Sequence, residues 1–98
     1  MAVAQRGTSE TTASGYGTVD RFRCAFDSGA VTATQDTSVP TGYGFATSWK
    51  LDTTTAVTSI TANHLGTAQY RFEGQDLQLL KFGTANAEKI TVSFWVKS

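Results

Sequence analysis

Histidine and carboxylate side chains are the groups through which this sequence could perform catalysis. His64 is the only histidine, so a Ser–His–Asp triad or a histidine–carboxylate metal cluster would depend on it alone. Its neighbours Asn63, Leu65 and Gly66 form no nucleophile motif, and the eight acidic residues are scattered without a calcium-loop spacing. Paired-carboxylate glycoside hydrolysis needs a larger cleft than we expect from 98 residues. We therefore expect a loop histidine and no enzyme, with a small hydrolase as the least favoured alternative.

Sites for cofactors and metals have equally weak signals. Cys24 is the only cysteine, which rules out an internal disulfide and a thiolate zinc site, and a buried strand position is expected for it. Glu73 and Asp76 could help to hold a cation, but such residues more often cap a turn. The Gly-Tyr-Gly triplets at 15–17 and 42–44 lack the following helix and lysine of a phosphate-binding loop. We expect no cofactor and no bound metal.

Aromatic side chains are the stronger candidates for recognition, because flat rings stack on sugars and supply apolar area at interfaces. Trp49 shares one face of its predicted strand with Phe45 and Leu51, so core packing is its alternative role. Trp95 lies on the more polar face of its predicted strand, where a ligand, an oligomer interface and the core all remain open. The candidate ligand-binding residues are Trp95, Tyr43, Tyr16 and Trp49.

Charge and hydropathy restrict the partners. The net charge is zero, from 8 basic and 8 acidic residues, so no basic field attracts nucleic acid, and weak repulsion between copies favours self-association. No apolar run approaches the roughly 20 residues that span a bilayer, and the first ten residues lack the apolar stretch of a signal peptide. We expect a soluble protein with neither nucleic acid nor membrane as its partner.

Alternating apolar and polar residues predict an all-β fold. The threonine-rich, glycine-punctuated composition favours strands and turns over helices. A flexible arm is expected at 1–14 and a single module at 15–98, with either a helical turn or an irregular strand within 74–83. Strands are predicted at 19–26, 31–35, 45–51, 56–62, 68–72 and 89–97.

The last of these strands has the strongest pattern. Ile90, Val92, Phe94 and Val96 alternate with polar residues and with Trp95. Such a pattern is typical of a strand in the middle of a sheet, where both edges are paired. We therefore expect residues 89–97 to pair centrally, with a second copy covering their exposed surroundings.

Several short motifs together resemble a recurrent module of phage virion and tail-fibre proteins, which is similar to jelly-roll carbohydrate-binding modules. The motifs are DRF at 20–22, QYRFEG at 69–74, LQLL at 77–80 and TVSFWVKS at 91–98. The resemblance implies a two-sheet jelly roll and a location on a virion or an extracellular surface. Family members usually continue with several more strands, so the chain resembles the N-terminal half of such a module.

The resulting prediction is an antiparallel β-sandwich, jelly-roll-like and incomplete, with about six strands and one short helical turn. The expected function is that of a non-catalytic structural or interaction module, resembling part of a phage virion protein, which forms a dimer or trimer through its sheets. The alternative is a carbohydrate-binding module that holds a glycan with exposed aromatic rings.

Overall fold

A computed structural model describes residues 3–98, which form five β-strands in two antiparallel sheets and one short helix. The predicted all-β class is confirmed. The strands are β1 (Ser9–Glu10), β2 (Phe22–Phe26), β3 (Ala30–Asp36), β4 (Ser48–Thr55) and β5 (Gly66–Tyr70), followed by α1 (Gly74–Leu77) and a 3-10 turn (Gln78–Leu80).

The first sheet has the strand order β1-β3-β4. Its middle strand, β3, alternates half-buried and buried residues, and Ala33 lies opposite both Glu10 and Leu51. Residues 9–10 of the predicted arm thus form an edge strand. The Glu10 carboxylate folds inward and accepts hydrogen bonds from the backbone N–H groups of Ser14 and Gly17.

The second sheet pairs β2 with β5, from Phe22 opposite Tyr70 to Phe26 opposite Gly66. β2 begins later than predicted because Arg21 has φ 68°, a left-handed conformation that interrupts the extended chain. On the other side of β2, Gly15 and Cys24 exchange two backbone hydrogen bonds. The chain segment before β2 therefore closes part of that edge.

The core lies where the two sheets meet. Ala13, Cys24 and Ala33 are buried together, and Phe26 and Trp49 pack against them. The buried position predicted for Cys24 is confirmed, because only 2% of its surface is exposed. Small side chains dominate this cluster, so the two sheets share a narrow core.

Pairing with β3 shifts β4 relative to the prediction for 45–51. The ladder runs from Asp36 opposite Ser48 to Ala30 opposite Thr55, so it includes the threonines and leaves Phe45 outside. The strand predicted at 56–62 is wrong, since those residues form bends and turns, and Ile60 is 79% exposed. β-branched residues favour a strand only where a neighbouring edge can receive their hydrogen bonds.

The helical turn predicted within 74–83 is confirmed as α1 and the 3-10 turn. Asp76 provides no cap, because the N-cap residue is Glu73 and no side chain bonds to that end. Lys81 and Gly83, with φ 52° and 86°, then turn the chain away. None of the helices within residues 3–98 is long and apolar enough to cross a membrane.

The prediction of a central strand at 89–97 is wrong. These residues lie outside every strand and are exposed along their whole length, including Phe94 at 79%. Within the described part of the chain, they form no backbone–backbone hydrogen bonds. The alternation that predicts a strand is present, but none of the strands formed by residues 3–98 pairs with it.

The molecule is less compact than is typical of a protein of its length. Its radius of gyration is 16.1 Å, whereas about 13 Å is typical of 100 residues. Its accessible surface is 7483 Å², against about 5,400 Å² expected for a compact monomer of 10.5 kDa. About 2,000 Å² of surface that a compact protein of this mass would bury is therefore exposed.

Candidate interaction surface

Two of the predicted recognition residues form an exposed aromatic pair. The ring centroids of Tyr43 and Trp95 lie 4.8 Å apart with an angle of 48° between the planes. Tyr43 is 61% exposed and Trp95 is 62% exposed, so each ring still presents much of its area to solvent. The tilted packing fixes the two rings relative to each other and leaves their outer faces available for contact.

The loop between β3 and β4 positions this pair. Tyr43 lies between Gly42 and Gly44, whose φ values of 85° and 75° are conformations that glycine adopts without steric cost. Close to the same loop, the Lys97 ammonium donates a hydrogen bond of 3.3 Å to the Ser38 hydroxyl. Residues 95–97 are thereby held against the loop that leads into β4.

Residues 89–97, which include these held residues, form an exposed apolar strip that we call the 89–97 segment. Its exposed apolar side chains are Ile90, Val92, Phe94, Trp95 and Val96. Soluble monomers rarely expose contiguous apolar patches larger than a few hundred Å², and larger ones mark interaction sites. The segment is accordingly the strongest candidate interaction surface of the described residues.

A second feature of the same region is the outer edge of β4. β4 pairs with β3 on one side, and its other edge has no strand partner among residues 3–98. Leu51, which lies beside the buried Ala33, is 36% exposed at this edge. The Lys50 ammonium and the Asp52 carboxylate on the opposite face form an exposed ion pair of 3.2 Å.

The other two predicted ligand-binding residues lie elsewhere. Trp49 packs on the core and on the Phe22 ring, and its indole N–H donates a 3.3 Å hydrogen bond to the Thr18 hydroxyl. Tyr16 is half-buried, and the Arg6 guanidinium lies 5.7 Å from its ring centroid. Trp49 therefore packs on the core, which was its alternative role. Neither the Trp49 ring nor the Tyr16 ring belongs to the Tyr43–Trp95 pair.

No protein-family model, curated protein or solved structure matches this chain.

An open cleft of about 680 Å³ lies beside Arg21, and residues near the start of the chain form one of its walls. It is lined by Val3, Gln5, Arg6, Asp20, Arg21, Phe22, Tyr70 and Glu73. The Arg21 guanidinium forms ion pairs of 3.3 Å with Glu73 and 2.6 Å with Asp76. A hydrogen bond to Tyr70, and then the charges of Asp76 and Glu73, raise the pKa of Arg21. The cation that these two carboxylates contact is thus the Arg21 guanidinium.

His64 lies in an exposed turn, where its Nδ1 accepts a hydrogen bond of 3.4 Å from the Thr61 N–H. It lines a shallow hollow of about 190 Å³ with mainly apolar neighbours, and none of the described lining residues is a carboxylate. No group of three or more histidine, cysteine or acidic side chains is placed to hold a metal ion among residues 3–98. The loop position expected for His64 is confirmed.

The sequence pattern does not predict the exposure of the apolar side chains in the 89–97 segment. Their alternation predicts burial, and no local signal distinguishes a paired strand from an unpaired one. The contact between Tyr43 and Trp95 cannot be predicted from local sequence either, because it joins residues far apart in the chain. Only the aromatic character of the two residues marked them as candidates.

Proposed function

We propose that the chain is a non-catalytic structural or interaction module that self-associates through its sheets. The observation that carries this proposal is the excess of about 2,000 Å² of accessible surface over a compact monomer, concentrated in part on apolar residues of the 89–97 segment. Obligate dimers remove about 1,000–2,500 Å² from each partner. Association of two copies would therefore restore the burial expected for this mass.

Other properties support the same proposal. A net charge of zero leaves little long-range repulsion between copies. Unpaired strand edges favour pairing with another chain, and symmetric dimers are the commonest assembly of identical subunits. The resemblance to phage virion and tail-fibre modules favours a jelly-roll architecture and a virion or extracellular location, where such modules assemble.

Sedimentation velocity and light scattering across a wide concentration range test the proposal. We expect dimers or trimers for the unaltered chain. The double variant V92K/F94K should remain monomeric, because two charges would have to be buried in the contact. The matched control T91K/S93K places the same charges on the polar positions and should weaken association less. A compact monomer at every concentration would refute self-association.

Carbohydrate binding is a second candidate, and the Tyr43–Trp95 pair favours it. Two exposed rings held 4.8 Å apart offer apolar faces of the kind that stack on pyranose rings. The 3.3 Å hydrogen bond between Lys97 and Ser38 joins the same two chain segments as the ring contact, and polar groups beside an apolar platform give a site its specificity.

A glycan array followed by fluorescence titration tests this candidate. Binding should be lost in Trp95→Ala and retained in Phe82→Ala, which removes a different exposed aromatic ring. An array without binders would count against the candidate, as would equal losses in both variants.

A further inference from the structure

We propose that self-association occurs by strand donation, in which the 89–97 segment of one copy pairs with the free edge of β4 in a second copy. This inference rests on the proposed self-association and specifies its geometry. Two features of the described residues carry it together. The 89–97 segment alternates strongly but pairs with no strand, and β4 has a long edge without a strand partner. Such strand addition satisfies backbone hydrogen bonds on both sides.

The lengths of the two elements agree. Residues 90–96 span about 23 Å when extended, and the β4 strand Ser48–Thr55 spans about 26 Å. β1 at the opposite edge of this sheet contains only Ser9–Glu10. β5 contains only Gly66–Tyr70, so β4 offers the longest ladder of the described edges.

The side-chain pattern also agrees with β4. Leu51 and Trp49 lie on the core-facing side of the sheet, and Leu51 remains partly exposed there. In one of its two registers, the donated segment would place Val92 and Phe94 beside them and extend the apolar face. A shift by one residue would turn these side chains to the side of Lys50 and Asp52, so burial selects the first register.

The position of the segment makes the exchange reciprocal. Contacts with Tyr43 and Ser38 hold residues 95–97 against the loop that leads into β4 of the same chain. Each segment therefore lies near the beginning of its own β4. A two-fold axis beside β4 would bring each segment to the free edge of the other copy, giving a closed dimer.

The amount of surface identifies a second copy as the occupant. The excess of about 2,000 Å² matches what each partner of an obligate dimer removes from solvent. Reciprocal donation covers both the segment and the β4 edge in every copy. Addition of the segment to its own β4 would leave the molecule monomeric, which the experiment below distinguishes.

Hydrogen–deuterium exchange at concentrations below and above association, combined with sedimentation, tests the inference. In the associated state, we expect slower exchange in the 89–97 segment and in β4, with β5 unchanged. The variant V92P/S93P removes two successive N–H groups, one of which must point to the partner strand, and should weaken association at least about tenfold. Residues 89–98 have no secondary structure and form no backbone–backbone hydrogen bonds with the rest of the described chain, so the monomer should still fold.

The control V92A/S93A loses the Val92 side-chain contact but keeps both N–H groups, so it should associate more tightly than V92P/S93P. Association that survives V92P/S93P, or protection that appears on β5 instead of β4, would overturn strand donation while self-association stands. A monomer with an unprotected segment would overturn both proposals. A monomer with a protected segment would show pairing within one chain and would also overturn both.

Discussion

Residues 13–33 and the 89–97 segment show opposite relations between sequence pattern and burial. The buried apolar residues of the described chain all lie in the first region, as Ala13, Val19, Cys24, Val31 and Ala33. The 89–97 segment has larger apolar side chains and a more regular alternation, yet it is exposed throughout. Hydrophobic pattern alone therefore does not place a strand in this protein.

The difference between the two regions is the availability of a paired edge. β2 and β3 lie beside strands or turns that accept their hydrogen bonds, so their small side chains can be buried. The 89–97 segment has no such neighbour within the described chain. The comparison indicates that backbone pairing, more than side-chain hydrophobicity, decides which residues enter the core here.

An aspartate placed in each region gives the largest expected contrast. Cys24→Asp puts a carboxylate in the core and should lower the free energy of unfolding by about 3 kcal/mol or more. Val92→Asp changes an exposed residue and should alter it by less than about 0.5 kcal/mol. Urea denaturation at a concentration where the protein is monomeric measures both. Similar losses would show that the 89–97 segment is buried in the monomer.

Alanine at two glycines compares the turn between β2 and β3, which lies against β4, with the Tyr43 loop. A Cβ at Gly29 would lie 2.7 Å from the Thr55 carbonyl oxygen, and φ is 77° there. We expect Gly29→Ala to cost about 2–3 kcal/mol, because steric overlap adds to the backbone strain.

Gly42→Ala is the control, since φ is 85° but nothing lies within 4 Å of the added Cβ. This variant should cost only about 1 kcal/mol, the strain of the left-handed conformation alone. Thermal or urea unfolding compares the two variants. Equal losses would indicate that the contact between Gly29 and β4 relaxes without cost.

A pH dependence of stability should arise from the core. Burial, and then the negative charge of Glu10, raise the pKa of the Cys24 thiol above 9.0. The folded state therefore holds its proton more tightly than the unfolded state, and the stability from this group is complete below about pH 9. It should decrease as the pH rises from there through the pKa of the folded state.

Unfolding measured between pH 8 and 11 in the native chain and in Cys24→Ala isolates this contribution. The variant should lose less stability over the same interval. Parallel curves for the two proteins would contradict the raised pKa.

The smallest effect is a spectroscopic difference between the two tryptophans. Trp95 is 62% exposed, whereas Trp49 packs against the core. Acrylamide should quench Trp95 in Trp49→Phe more strongly than Trp49 in Trp95→Phe, when both variants are monomeric. If Trp95 becomes protected as the concentration rises, the interaction surface includes its ring.

Several elements could be predicted from local sequence. The prediction at 31–35 lies within β3, and the short helical turn was expected within 74–83. These elements depend on local signals, namely alternation with β-branched residues and glycine-bounded polar turns. The aromatic character of Tyr43 and Trp95 likewise predicts that these residues belong to a recognition site, and the two rings are in contact.

The sequence by itself determined the all-β class, the buried cysteine and the aromatic candidates, because composition and period-two alternation are local properties. Tertiary structure alone decided the bounds of β4, the absence of a strand at 56–62 and the exposure of the 89–97 segment. Each of these depends on whether a second strand lies within hydrogen-bonding distance. A strand is completed by its neighbour, and the neighbour lies elsewhere in the chain or in another molecule.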